Sequence, residues 1–460
     1  MLEKISLIVR RLLKIITKIA TALSFLTFYS LSQEMQSTMS GMDMTSSMNQ
    51  SVMNFNGSGT GWLPESSSMF VIHSKVSNWS VMNHGSAYIR YTDQNANHSD
   101  KRGERAYDAP NWFMTMWDRA IKSKNQLRLR GMLSFDPLTE GSDGYPLLFQ
   151  TGEVFKGKPL IDRQHPHDLF MELSATWFYK LTDQNTLFSY FAYPGEPALG
   201  PVTYMHRPSA EMNVDAPLGH HWQDATHITF GVFTLGIILN KLKIDGSIFT
   251  GREPDEHRWN FAPPRFDSYS GRVSYRFTPQ ITAQISSGFL RSPEILHPNI
   301  NQIRISGSIE TSFLTSRNAV ISSSIIYGSN IEKENGSSHL TNTILAEIEF
   351  LTSRIIPYGR YEFAQRKGED LGITNAQESI FNIHAFTLGS ALQVAAFKSF
   401  SFFAGAQGTM NVPDKNLRSE YGKLPLSYEI FIRVRPSTLT MSSMEKSGNA
   451  TTESEHPFLN

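Results

Sequence analysis

Histidine is unevenly placed in this 460-residue chain: seven of the fourteen lie between positions 165 and 257. They occur in four short stretches: Gln164-His165-Pro166-His167-Asp168, Tyr204-Met205-His206-Arg207-Pro208, Gly219-His220-His221-Trp222-Gln223-Asp224, and a run from Arg252 to Trp259 carrying His257. His227 lies three residues past Asp224. Imidazoles near carboxylates suit zinc, copper or nickel, with the carboxylates available to ligate or to orient a ring from behind. Asp168, Glu196, Asp224, Asp255 and Glu256 are the carboxylates at hand. Pro166 keeps the preceding residue out of the helical region, so in an extended chain His165 and His167 project the same way. The candidate metal ligands are therefore His165, His167, Asp168, His206, His220, His221, Asp224, His227 and His257. None of these runs has a fixed zinc spacing. A cluster of loop histidines bonded to backbone and to neighbouring Arg and Glu stays open beside the metal reading.

Methionine is the second uneven residue. Met35, Met39, Met42, Met44, Met48 and Met53 crowd a polar stretch that also holds Asp43. Thioethers are soft ligands that suit Cu(I), and a flexible segment can wrap such an ion without a preformed cage. Met39, Met42 and Met44 join the candidate ligands on this ground. A low-complexity linker in which methionine is simply tolerated is the alternative. Hydrolysis is a third possibility, with His165, His167 and Asp168 activating water or Ser209. No Gly-x-Ser-x-Gly elbow and no His-Glu-x-x-His run supports it, and no enzyme activity is expected.

The Met39-Ser40-Gly41-Met42-Asp43-Met44 stretch, followed by the barrel pattern described below, resembles the copper-resistance B family of outer-membrane proteins. The resemblance covers the style of the segment and the architecture, and it implies copper handling. The family's motifs are denser and richer in His and Asp than this one. Gln164-His165-Pro166-His167-Asp168 resembles a stretch of uncharacterised Gram-negative envelope barrels.

These residues need elements to position them. Hydrophobic residues make up 40% of the chain, aromatics 12% and charged residues 18%, and the formal net charge is zero. Zero charge argues against nucleic acid held by counterion release. After the N-terminus no stretch nears the roughly 20 apolar residues of a spanning helix. Lys4, Arg10, Arg11, Lys14 and Lys18 precede an apolar run from Ile19 to Leu31, and Ser30 and Ser32 stand before Gln33. That pattern predicts a cleaved signal peptide over 1–32. With no cysteine in the chain, no lipid-anchored cysteine is available.

Downstream the hydrophobic period is two. Leu127, Leu129, Gly131 and Leu133 alternate with Arg128, Arg130 and Met132. Tyr269, Gly271, Val273, Tyr275 and Phe277 alternate with Ser270, Arg272, Ser274 and Arg276, and Leu426, Tyr428, Ile430 and Ile432 with Ser427, Glu429 and Arg433. Roughly ten-residue segments of this kind, joined by connectors that are alternately short and long, predict a transmembrane antiparallel β-barrel. The expected fold is all-β, with about sixteen strands, short periplasmic turns and long external loops. The long links fall near 93–110, 137–167, 194–224, 251–266, 291–301, 329–340, 367–379 and 411–424. A soluble sandwich shares the period but predicts the opposite faces in water. Trp112, Trp117, Tyr179, Tyr193 and Phe350 suit interface girdles.

The expected organisation is a signal peptide (1–32), a Met-rich flexible periplasmic segment (33–83), the barrel (84–436) and a disordered tail (437–460). In this register the histidine stretches meet at one external rim. The expected function is metal-ion binding or resistance at the cell envelope, copper first and zinc second. A porin-like channel for small solutes follows, since a mixed charged lumen can conduct. The expected partners are outer-membrane lipid, the barrel-assembly machinery, and metal ions or small solutes. The expected location is the outer membrane.

Overall fold

The computed structural model describes residues 57–315, 319–334, 337–437 and 439–441. Its main element is a closed antiparallel barrel of sixteen wall strands among the described residues. The wall runs from Trp79–Asp93 to Leu426–Pro436, and these two strands pair with each other to close it, Tyr428 opposite Asp93 and Val434 opposite Ala87. Closure leaves the wall without a strand edge, which a bilayer demands.

The exposure pattern decides between membrane and water. Along Leu242–Phe249 and Leu426–Pro436 alternate residues are exposed and buried. The exposed set is apolar, including Ile244, Ile248, Tyr428, Ile430 and Ile432, while Lys243, Asp245, Glu429 and Arg433 are buried. The same inversion recurs at Tyr269, Val273, Ile285, Ile309, Ile325 and Leu388, the last 74% exposed. A water-soluble fold hides its apolar face; a wall in lipid shows it. The protein is an outer-membrane barrel.

Connector lengths alternate as the sequence predicts, for example 122–124 and 240–241 against 193–231 and 250–267. Three boundaries differ. The wall begins at Trp79 rather than 84, and the chain before it is structured from residue 57: Ile72–Val76 pairs with Trp79–Asn83, and 57–67 lies inside the barrel. The flexible-segment expectation therefore fails for 57–83, because Trp62 and Leu63 bury themselves in the lumen. Leu426–Pro436 is the last wall strand, and beyond it Leu439–Met441 pairs with Ser68–Phe70, while 442–460 lie outside the described residues. The long link after residue 133 holds a hairpin, Tyr145–Phe155 with Lys158–Gln164, whose register breaks twice. The signal-peptide region and Met39, Met42 and Met44 lie outside the described residues.

Trp112 also departs from expectation. It shares the face of Met114, Met116 and Asp118, and its ring lies 5.2 Å from that of His84. It points into the lumen instead of belonging to a lipid girdle.

Candidate functional site

The lumen is filled. Inner-face arginines that would be wet in an open pore are 1–2% exposed at Arg90, Arg128, Arg272 and Arg304. Three segments fill it, a strap over 57–67, the link 134–169 and the long loop 193–231.

The strap enters through backbone groups. Arg130 donates to Gly57 O and Gly59 O, and Lys243 Nζ to Thr60 O. Thr60 Oγ1 donates to Asp245 Oδ2 at 2.7 Å and accepts from Arg272 at 2.6 Å. Trp62 packs on Phe178, Phe188 and Ile238, and Glu65 pairs with Arg276 at 2.5 Å.

The loop is held by wall carboxylates. Arg207 pairs with Asp224 within the loop at 2.9 Å and with Glu347 of the wall at 2.7 Å. Met212 N donates to Glu349, Leu218 N to Glu362, and Asp215 pairs with Arg90 at 2.7 Å. Gly200 has φ +85°, and a Cβ there would strike the Gln223 carbonyl, so the turn accepts only glycine comfortably. The charges read as inward-facing from sequence are thus the sockets of a plug.

Inside this plug five histidines gather. His165, His167, His220, His221 and His227 are each under 8% exposed. Their ring centroids form a chain: His165 to His221 5.7 Å, His221 to His220 5.3 Å, His220 to His227 5.0 Å and His227 to His167 5.5 Å. Four Nδ1 atoms are engaged: His167 with Asp136 at 2.6 Å, His220 with Asp224 at 2.5 Å, and His165 and His227 with backbone carbonyls. The Nδ1 of His221 lies 3.6 Å from Glu253. The Nε2 atoms of His167, His220, His221 and His227 are buried without a hydrogen-bond partner. His165 Nε2 lies 3.2 Å from Glu153, which also holds Arg258.

Burial holds His165 and His227 well below the ordinary imidazole range, helped by neighbouring cations and imidazoles. His220 is lowered too, although Asp224 pulls the other way. Burial pushes Asp224 up, but His220 and Arg207 outweigh it and hold its carboxyl below the usual range. Burial carries Asp168 up to about 7 against the pull of Arg258, 3.5 Å away.

The structure brings together five of the seven histidines that the sequence placed at one rim. The cluster lies within the lumen instead of on an external rim, because loop 193–231 folds inward. His227 belongs to a short helical turn and Asp168 to the link before Phe170–Lys180, not to wall strands. His257 stays outside with a side chain 68% exposed, its Nδ1 3.3 Å from Asp255. His206 stands apart, 5.5 Å from His84. Among the described residues no three His, Asp or Glu side chains converge as a metal would require. Asp136, Glu153 and Glu253 escaped the sequence reading, since no local pattern ties them to the histidines they support. His84 and its methionine neighbours escaped because a lumen strand was expected to be polar.

No family model and no curated protein matches this chain. Among solved structures it is similar to Salmonella typhi OmpF in complex with daunomycin, at 10% identity and TM-score 0.49, covering 79% of this chain and 100% of that one. It is also similar to an anion-selective porin from Comamonas acidovorans, at 11% identity and TM-score 0.47, covering 78% and 99%. The outer-membrane channel DcaP of Acinetobacter baumannii matches at 7% identity and TM-score 0.45, covering 80% and 100%. The fold assignment stands on the closed pairing and the inverted exposure of this chain itself.

Proposed function

We propose that this protein is a porin-like outer-membrane barrel whose passage for small polar solutes or ions is gated by its lumen plug. One observation carries the reading: the inner wall presents arginines and carboxylates, and the plug sits on them through ion pairs and hydrogen bonds. A sixteen-strand wall is wide enough for an aqueous channel once such a plug moves. Replacing 203–218 by a Gly-Ser linker is expected to turn a quiet full-length chain into one with steady conductance in planar bilayers. A folded variant that conducts nothing would overturn the gating reading.

A second reading is transition-metal binding, copper first and zinc second, and the histidine cluster favours it. Ligating imidazoles commonly have one nitrogen fixed by a carboxylate or carbonyl and the other free, which is the state of His167, His220 and His227. Ring rotations would be needed to bring three nitrogens to one point. Refolded chain incubated with copper or zinc and then desalted is expected to keep metal that a His167→Gln/His220→Gln/His227→Gln variant loses. Equal metal in both rules the reading out.

A further inference from the structure

The inner wall carries several apolar clusters among its charges, and one of them is built mainly of methionine. Val71, Met82, Met114, Met116, Met132, Met171 and Ile228 form one buried cluster, and Met69, Trp112 and Met205 pack against it. Seven of the eighteen methionines of the chain thus meet in one quadrant of the lumen.

The register builds this quadrant. Met82 lies opposite Met116, and His84 opposite Met114, on adjacent strands. Met114 in turn faces Met132 on the next strand. Directly opposed residues have Cβ atoms about 4.5–5.5 Å apart, so His84, Met114 and Met132 form a row across three strands. Beyond it the register slips between Met132 and Leu133, and Met171, 1% exposed, joins the inner face beside Glu172. The plug lays Met205 and His206 over this row.

Two imidazole nitrogens here lack a hydrogen-bond partner among the described residues. The Nε2 atoms of His84 and His206 are buried and unbonded, and His84 is only 8% exposed. The rings lie 5.5 Å apart, and both flank Trp112. They line one cavity with Met69, Trp112 and Met205. Arg433 and Arg435 close its far side, where Glu211 pairs with them at 2.5 and 3.2 Å.

We propose that this methionine and histidine quadrant is a binding site for a soft monovalent metal cation, Cu(I) or its redox-inert counterpart Ag(I). Thioether and neutral imidazole donors favour soft cations over zinc or magnesium. The site is separate from the five-histidine cluster and does not depend on the gating reading.

The probe is Ag(I), bound to refolded full-length chain whose six methionines from 35 to 53 are leucine, so that the N-terminal segment contributes no thioether. The expected result is one silver retained per chain after desalting, with sulfur and nitrogen scatterers in its X-ray absorption spectrum. Zn(II) in tenfold excess should leave that silver in place. Met114→Leu/Met132→Leu/Met205→Leu, which conserves volume, should weaken retention at least tenfold. Retention unchanged in the triple variant, or silver bound by oxygen and nitrogen alone, overturns the proposal; so does a folded parent that keeps no silver. If the triple variant does not fold, Met205→Leu and His84→Gln singly decide, each expected to remove its own scatterer from the spectrum. Channel recordings on the same chain report gating alone, so the two proposals can fail separately.

Discussion

At the scale of the residue, the plug histidines are costly to charge. His227 is buried and held well below its ordinary value, so the folded chain binds fewer protons there than the unfolded one. Stability that depends on this residue is therefore complete above about pH 6.5 and falls as the medium becomes more acidic. Asp168, raised to about 7, works in the opposite direction, so one group is best isolated by difference. Relative to His227→Gln, the wild type is expected to lose up to about 1.4 kcal/mol per pH unit below pH 6.5. Urea midpoints of the two proteins at pH 7.5, 6 and 5 measure this, and parallel curves would refute it.

At the scale of the element, the strap and the long loop have opposite legibility. Strands such as Ser268–Thr278 could be read from alternation, because one face meets lipid and the other does not. Loop 193–231 has no such period, since nearly all its residues are buried against sockets that lie far off in sequence. The strap read as flexible for a related reason: Gly57 to Gly61 carry no side-chain pattern, and their backbone carbonyls make the key contacts. Its anchor is Trp62. Trp62→Ala removes a buried ring packed on Phe178, Phe188 and Ile238 and is expected to cost about 3–5 kcal/mol. Denaturant unfolding of the refolded barrel checks this; a loss below 1 kcal/mol would mean the strap is a passenger.

At the scale of the molecule, the barrel is inside out relative to a soluble protein, and substitutions should follow that inversion. Leu388 stands on the outer face, 74% exposed. Leu388→Lys is expected to cost about 2–4 kcal/mol if it sits near the midplane of the bilayer. Folding equilibria into lipid vesicles measure this, and a neutral result would argue against lipid on that face. A soluble protein would favour the same exchange.

The sequence alone determined the wall: a period of two with charges on one face and apolar residues on the other leaves a barrel few alternatives once the apolar face is long enough for lipid. It also brought seven histidines, His165, His167, His206, His220, His221, His227 and His257, to one end of the barrel as an expectation, because their segments follow neighbouring strands. Only tertiary structure decided that five of them gather inside the barrel, that His257 does not join them, and that His84 meets His206 beside seven methionines. The reason is physical. Alternation reports which face of a strand meets lipid, a local property, whereas the direction in which a loop folds depends on ion-pair partners more than a hundred residues away, such as Glu347 for Arg207.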